Sequence, residues 1–191
     1  HVCKEWIQAI TYSPDGALLA IGSHGGAIYV LDTRTYMNRA IAKGHHGAII
    51  AVDFSKDSKY MRSTSNDYEL LFWEASGKQV KSASAMRDVE WATCTCLFGW
   101  PVQGIYPEFA DGTDVNSVDR SPDGSLLVTG DDVGTVKLFR YPALEKHSEC
   151  KSYKGHSAHV MQVRFSKDGK FVYSVGGIDK AILQYEVKKV K

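Results

Sequence analysis

Apolar and polar positions alternate over short stretches of this chain, and the alternation repeats four times. In each repeat, one apolar residue stands six positions and another stands three positions before a serine. These apolar residues are Ile7 and Ile10, Ile49 and Val52, Val115 and Val118, and Val160 and Val163. Each serine begins a four-residue segment with aspartate third, where a short polar side chain can close a tight turn: Ser13-Pro-Asp-Gly16, Ser55-Lys-Asp-Ser58, Ser121-Pro-Asp-Gly124 and Ser166-Lys-Asp-Gly169. The pattern predicts one strand followed by one turn, four times over.

Two further strands are predicted after each turn, with a Gly, Asn or Asp segment between them. They are 18–22 and 27–32, 60–65 and 69–74, 126–130 and 135–141, and 171–175 and 181–187. Helical periodicity is absent. A bulky residue ends the third strand 18 positions after the serine in three repeats, but 19 positions after it in the fourth, at Tyr185. The additional residue predicts a one-residue bulge around Gly176 and Gly177.

A repeat of about 40 residues is typical of β-propellers, and these repeats resemble WD40 blades. Gly44-His45 and Gly155-His156 stand before the second and fourth units, and the Trp-Asp position reads Leu31-Asp32, Trp73-Glu74, Phe139-Arg140 and Tyr185-Glu186. The predicted fold is all-β, with four consecutive blades at about 5–43, 44–90, 114–150 and 151–191, and an insert at 91–113. Since seven such blades need roughly 300 residues, we expect the C-terminal part of one larger, seven-bladed ring.

The WD40 resemblance also implies a hydrogen-bonded network inside a blade, formed by a His, a strand Ser or Thr, a turn Asp and the Trp. The second unit offers the full set: His45 or His46, Ser63 or Ser65, Asp67 and Trp73. The fourth unit keeps His156, Ser174 and Asp179, but has Tyr185 in place of the Trp. The first and third units have Gly25 and Val133 at the Asp position, so they are expected to depend more on apolar packing.

One interval between the turn serines is longer than the others. The intervals are 42, 66 and 45 positions, so the second carries about 22 additional residues, Trp91 to Asp114. This segment is rich in β-branched and aromatic residues, which predicts a buried strand, a bend at Gly99 to Pro101 and a turn at Asp111-Gly112. Trp100 could face a partner, but a position in the core is favoured because large aromatic side chains are mostly buried.

The insert and its flanks, Met86 to Glu90 and Val115 to Ser121, resemble the echinoderm microtubule-associated protein-like family. Further matches are Thr129-Gly-Asp-Asp132, Val136 to Pro142 and Tyr153 to Val160. Members of that family have paired β-propellers and bind tubulin or microtubules, and some occur on ciliary or flagellar axonemes. The resemblance implies the C-terminal WD40 propeller of such a protein, in the cytoplasm and cytoskeleton, with the tubulin or microtubule lattice as partner and other axonemal proteins as further candidates.

Charge and cysteine content exclude several classes of partner and cofactor. The chain has 23 Lys plus Arg and 22 Asp plus Glu, a net charge of +1, so neither nucleic acid nor a membrane is expected as a partner. Cys94 and Cys96 are separated by one residue, too close for the usual metal or redox pair. Neither His45-His46 nor His156 with His159 has a carboxylate or thiol at ligand spacing, so we expect no metal and no cofactor.

The acidic pair Asp131-Asp132, with Asp111 and Asp114 upstream, could supply an acid and a base. However, turn chemistry explains each of them and no nucleophile motif accompanies them. The basic tail from Lys188 to Lys191 could meet the acidic surface of tubulin, although a solvated terminus is slightly favoured. We therefore expect a non-enzymatic microtubule-associated scaffold. The alternatives are a general WD40 adaptor for protein complexes and, less favoured, an enzyme on a propeller scaffold.

Overall fold

A computed structural model describes residues 2–106 and 115–188, and its regular structure there consists of β-strands and two short 3₁₀ helices. This confirms the all-β prediction. The strands are β1 (Ile7–Tyr12), β2 (Leu18–Ser23), β3 (Ala27–Asp32), β4 (Asn38–Lys43), β5 (Ile49–Phe54), β6 (Tyr60–Ser65), β7 (Leu70–Glu74), β8 (Gln79–Val80), β9 (Val115–Arg120), β10 (Leu126–Asp131), β11 (Thr135–Arg140), β12 (Cys150–Lys154), β13 (Val160–Phe165), β14 (Phe171–Gly176) and β15 (Ile182–Glu186). The 3₁₀ helices are Ala83–Met86 and Trp100–Ile105.

The strands form four antiparallel sheets, which correspond to propeller blades. Blade 1 contains β1 to β4, blade 2 contains β5 to β8, blade 3 contains β9 to β12, and blade 4 contains β13 to β15. Consecutive strands are neighbours in every sheet, so each blade is a simple meander. The blades belong to two compact units, His1–Phe98 and Gly99–Lys191. No helix within residues 2–106 and 115–188 is both long and apolar enough to span a bilayer.

The turn serines have the same role in all four blades. Ser13 Oγ donates to Oδ1 of Asp15 at 2.5 Å and accepts the backbone N–H of Leu18 at 2.9 Å. Ser55, Ser121 and Ser166 repeat both contacts with the equivalent residues. Each turn thus satisfies backbone groups with two short polar side chains, which explains why Ser and Asp recur at this spacing.

Adjacent blades pack closely within each unit at two equivalent glycines. A Cβ on Gly22 of β2 would lie 2.5 Å from the side chain of Ile49, and one on Gly130 of β10 would lie 2.5 Å from the side chain of Val160. Ile49 and Val160 are fully buried residues at the start of β5 and β13. The first strand of blades 2 and 4 therefore packs against the second strand of the preceding blade, and only glycine leaves the space.

The structure has a bulge at Gly176, but the additional residue does not cause it. The β13–β14 register shifts between Val160, opposite Gly176, and Gln162, opposite Val175, and the first ladder of each of the other three blades has the equivalent shift. The β14–β15 ladder runs from Phe171 opposite Glu186 to Val175 opposite Ile182 without a register shift. The additional residue instead lengthens the turn between these strands, where Gly176 N–H donates to Ala181 O at 2.9 Å and Lys180 has a positive φ of 53°. A longer turn absorbs the residue without breaking the ladder hydrogen bonds.

Candidate functional site

The polar side chains that the sequence singled out in blade 2 lie in a connected network. Nε2 of His45 is 2.7 Å from Ser63 Oγ, which also accepts the indole N–H of Trp73 at 2.8 Å. His45, Ser63 and Trp73 are fully or nearly fully buried. Asp67 is reached indirectly, because Nδ1 of His45 is 2.7 Å from Ser65 Oγ, which donates to Oδ1 of Asp67. The alternatives left open by the sequence, Ser63 or Ser65, thus have separate positions in one network.

A second carboxylate, missed by the sequence analysis, stands beside this network. Glu69 Oε2 is 3.5 Å from Nδ1 of His45, and Glu69 Oε1 is 3.7 Å from Nδ1 of His46. Burial lowers the pKa of His45, although Asp67 and Glu69 act in the opposite direction. Burial tends to raise the pKa of Asp67, but hydrogen bonds from Ser65 and the His46 backbone outweigh it and lower that pKa. The ordinary state is therefore a neutral imidazole beside an ionised Asp67.

Blade 4 carries a more direct version of the network. Nδ1 of His156 is 2.8 Å from Oδ2 of Asp179, and Nε2 is 2.7 Å from Ser174 Oγ. The pKa of Asp179 is lowered, first by the backbone N–H of Ala181 and also by His156. Tyr185 occupies the Trp position, and its buried hydroxyl has no hydrogen-bond partner among residues 2–106 and 115–188. Blade 4 therefore keeps the His, Ser and Asp contacts but lacks the indole donor.

The acidic pair of blade 3 is held by neighbouring side chains. Asp131 lies 2.9 Å from Nζ of Lys137 and accepts the backbone N–H of Thr135 at 2.7 Å. Asp132 accepts from Asn116 Nδ2 at 2.6 Å and lies 2.8 Å from Nδ1 of His159. Asp111 and Asp114, also considered in the sequence, lie outside the described residues. Both carboxylates are therefore held by hydrogen bonds, Asp131 at the end of β10 and Asp132 in the turn that follows it.

A buried ion pair, not expected from the sequence, fixes the start of the insert to blade 2. Asp53 and Arg62 lie opposite each other in the β5–β6 ladder, with Arg62 Nη2 and Nε at 2.9 and 3.0 Å from Asp53 Oδ2. Both side chains are almost completely buried. Arg62 also stacks over the Trp91 ring, 4.8 Å from its centroid. The guanidinium thus joins a strand of the blade to the first residue of the insert.

Both carboxylate oxygens of Asp53 also accept hydrogen bonds from the insert. Oδ1 accepts from Thr93 Oγ1 at 2.5 Å and from Thr95 N–H at 3.0 Å, while Oδ2 accepts from Cys96 N–H at 3.1 Å. Burial alone would raise the pKa of Asp53, but Arg62 and these donors lower it to about 2. Burial also raises the pKa of the Cys96 thiol, which agrees with a reduced, unreactive cysteine.

The insert departs from its predicted shape. Trp91 forms a single antiparallel bridge with Ser55, and residues 92–99 contain no strand. The backbone N–H groups of Thr95 and Cys96 donate to the Asp53 carboxylate, so they need no hydrogen bonds from a neighbouring strand. Trp100 is 49% exposed, and the preference for a core position is wrong. It begins the 3₁₀ helix, whose buried residues are Val102, Gly104 and Ile105. The Asp111-Gly112 turn lies outside the described residues.

Comparison with known protein families gives a match over nearly the whole chain. A family model described as the second beta-propeller of echinoderm microtubule-associated protein matches residues 1–187. The chain belongs to this family. The resemblance carried by the insert and its flanks is thereby confirmed.

Similar curated members of the family are much longer than this chain. The 77 kDa echinoderm microtubule-associated protein of Strongylocentrotus purpuratus is 46% identical over 189 residues, which cover 96% of this chain and 28% of that protein. Human echinoderm microtubule-associated protein-like 2 is 43% identical over 96% of this chain and 29% of its own length. The chain thus spans less than a third of these relatives, and the match concerns one segment of them.

A solved structure supports the fold alone. The β-propeller domain of Cps50 (Swd1) from Myceliophteria thermophila superposes with a TM-score of 0.69, covering 99% of this chain and 69% of that chain. The sequence identity is 14%, so the likeness extends to the propeller architecture and not to partners.

Proposed function

We propose that this member of the family is a non-enzymatic scaffold that associates with microtubules by binding tubulin through its propeller. The observation that carries the proposal is the family match over residues 1–187, together with relatives whose names describe microtubule-associated proteins. Microtubules are polymers of tubulin, so a protein that associates with them directly needs a surface for tubulin, and a propeller offers many strand-connecting loops for such contact.

The hydrogen bonds of the buried histidines and of the blade 3 aspartates support a binding role rather than a catalytic one. The buried histidines, His45 and His156, are engaged with serines of their own blades. Asp131 and Asp132 are occupied by Lys137, His159 and backbone donors. A catalytic pair needs a free acid or base beside a nucleophile, and these aspartates have structural partners instead.

The proposal includes a larger ring, in which the four blades form part of a seven-bladed propeller. Support comes from blade size, since units of about 40 to 45 residues are typical of WD40 rings. Exposed strand edges also favour pairing with further strands. The proposed sites of action are cytoplasmic microtubules and the axonemal doublets of cilia or flagella, where other axonemal proteins would be neighbours. Of the basic tail, only Lys188 is described, and it lies 3.1 Å from Glu186.

Cosedimentation with polymerised tubulin tests the proposal on the complete protein that contains this chain. We expect the protein to pellet with microtubules at low ionic strength and less at higher ionic strength, because exposed charges are screened by salt. The same protein spun without microtubules is the control. If it stays wholly in the supernatant with microtubules at low salt, the proposal is wrong. Proximity labelling in cells then separates the two binding roles, since a general adaptor would not label mainly cytoskeletal neighbours.

A further inference from the structure

Each blade has two ends, because successive turns of a meander alternate between opposite ends of the sheet. The chain enters a blade at one end, where the turn between the second and third strands also lies, and we call this the entry end. The Ser-x-Asp turn and the turn after the third strand lie at the opposite end, which we call the serine end. The two ends differ in their exposed side chains and in the pairing of their charges.

Within each unit, the entry ends of the two blades lie side by side. A Cβ on Gly26, in the second turn of blade 1, would lie 2.6 Å from the carbonyl oxygen of His45, in the segment that enters blade 2. Gly134 of blade 3 has the same relation to His156, which precedes blade 4, at 2.5 Å. Side chains at the two entry ends of a unit therefore belong to one surface.

A large apolar or aromatic side chain is exposed at the entry end of every blade. Trp6 precedes β1, and the other three lie in the second turns of blades 2, 3 and 4; all are between 52% and 80% exposed: Trp6, Tyr68, Val133 and Ile178. In the described turns of the serine end, such residues occur in blades 1 and 3 alone, as Tyr36, Met37 and Leu144. Exposed apolar groups that recur along one surface are typical of protein interaction sites, where aromatic residues often contribute most of the affinity.

Exposed lysines are paired with carboxylates at the serine end but not at the entry end. Among residues 2–106 and 115–188, six ion pairs have an exposed Lys or Arg, and all six lie at the serine end: Arg39–Asp32, Lys56–Glu90, Lys59–Asp57, Lys78–Glu74, Lys170–Asp168 and Lys188–Glu186. Lys43, Lys154 and Lys180 are exposed at the entry end, and none of them has an ion-pair partner in the described part of the chain. Their positive charges are therefore available to a partner.

Carboxylates at the entry end are held by groups of the blades themselves. Asp67 accepts the backbone N–H of His46 at 2.9 Å, and Asp179 accepts that of Ser157 at 3.1 Å. Asp132 accepts from Asn116 Nδ2, as described above. Glu5 is exposed beside Gly25, but the adjacent Lys4 is exposed too, so this pair of residues adds no net charge. The entry ends thus offer apolar groups and unpaired lysines, a combination that fits an acidic protein surface.

We propose that the entry ends of the blades are the surface that binds tubulin, an inference that rests on the proposed function and specifies which loops perform it. The exposed apolar residues bury their side chains against tubulin, and Lys43, Lys154 and Lys180 meet its acidic groups. Complementary charge favours this end over the serine end, whose exposed lysines already have carboxylate partners.

Two tyrosines form a matched pair for testing which end binds. Tyr68 at the entry end of blade 2 and Tyr36 at the serine end of blade 1 are both more than half exposed, and both have a positive φ, 63° and 55°. Asn adopts this backbone conformation more readily than Tyr, so Tyr68→Asn and Tyr36→Asn each remove an exposed ring without straining the turn. In cosedimentation of the complete protein that contains this chain, we expect Tyr68→Asn to weaken microtubule affinity about tenfold and Tyr36→Asn to leave it within about twofold.

The lysines provide a second matched set. One triple variant neutralises the entry-end lysines, and the other removes the same charge from the serine end: Lys43→Gln with Lys154→Gln and Lys180→Gln, and Lys59→Gln with Lys78→Gln and Lys170→Gln. We expect the first to weaken binding more than the second and to make it less sensitive to salt, because it removes charges that contact tubulin. The equal change in net charge controls for long-range attraction.

Cross-linking of the parent protein to microtubules gives a readout that does not depend on how a variant folds. A carbodiimide joins a lysine amine directly to a neighbouring carboxylate, and mass spectrometry of the peptides identifies the lysine. We expect cross-links from Lys43, Lys154 or Lys180 to tubulin. Unchanged binding in Tyr68→Asn and in the entry-end triple variant, or cross-links through the serine-end lysines instead, overturns this inference and leaves the proposed function intact. A parent that does not sediment with microtubules overturns both.

Discussion

Blades 2 and 4 share a buried histidine bonded to a strand serine, but their surroundings differ. In blade 2, Arg62 directly precedes Ser63 of the network in β6 and pairs with Asp53, and the insert is anchored to this pair. The equivalent cross-strand pair of blade 4 is Arg164 opposite Tyr173, which includes no ion pair. The same His–Ser motif can therefore lie in very different electrostatic environments. Residues that do not repeat between the blades determine the environment of each motif.

Asp53 holds the insert against blade 2, and an aspartate in blade 3 has an equivalent role. Asp119 has the equivalent position in blade 3, two residues before the turn serine, and its Oδ2 accepts the backbone N–H of Phe165 in β13 at 2.8 Å. Asp53 instead accepts the backbone N–H groups of Thr95 and Cys96. The insert therefore contacts β5 in the same way that β13 contacts β9. In both cases an aspartate of the preceding blade accepts backbone N–H groups from the segment beside it.

The largest expected effect comes from breaking the ion pair of blade 2. Arg62→Met should lower the free energy of unfolding by about 3 to 5 kcal/mol, because it leaves the carboxylate of Asp53 buried without its cation. Urea unfolding of the chain, followed by tryptophan fluorescence, measures the loss. The comparison variant in blade 4 is Arg164→Met, the same substitution at the position equivalent to Asp53. It breaks part-buried hydrogen bonds to Val163 O and Ser117 Oγ and should cost about 1 kcal/mol. Equal losses in the two variants would contradict the comparison.

Acid should weaken blade 2 through the same carboxyl group. The pKa of Asp53 is lowered from its ordinary value to about 2, so the stability it contributes is complete above about pH 4 and is lost as the pH falls towards 2. The expected loss is about 2 kcal/mol. Unfolding measured at pH 5, 3 and 2 tests this.

The control for the acid series is the double variant Asp53→Asn with Arg62→Met, which lacks the titrating pair and should lack this part of the pH dependence. A titration of the carboxyl groups followed by NMR measures the pKa of Asp53 directly. A midpoint for Asp53 at or above about 3.9, the value of an unperturbed aspartate, is incompatible with the prediction.

Much of the fold, but less of the site, follows from the sequence. Strand positions could be predicted because alternation and the Ser-x-Asp turn report local structure. The Asp53–Arg62 pair had a signal that went unused: a charged residue inside the apolar stretch Ile49–Phe54, opposite an arginine across a turn of known position. No sequence pattern indicated the path of residues 92–99. Backbone N–H groups in this segment donate to the Asp53 side chain, and strand propensity carries no information on such contacts.

The smallest expected effect concerns the hydroxyl that distinguishes blade 4. Gly44 lies against the Trp73 ring and Gly155 against the Tyr185 hydroxyl, so the two aromatic residues occupy equivalent positions. Trp73 donates to Ser63, whereas the Tyr185 hydroxyl is buried without a partner among the described residues. Tyr185→Phe should therefore change the free energy of unfolding by no more than about 0.5 kcal/mol, and a small gain is expected, because removing an unsatisfied polar group ends its desolvation cost.

Trp73→Phe is the reference for Tyr185→Phe. It removes the indole N–H that donates to Ser63 and should lower the free energy of unfolding by more than about 1 kcal/mol. Thermal and urea unfolding of both variants compare the two blades directly. A loss above about 1 kcal/mol in Tyr185→Phe would mean that the hydroxyl has a partner outside the described residues. In that case the two networks would be equally complete, and the difference between the blades would lie in the ion pair and the insert alone.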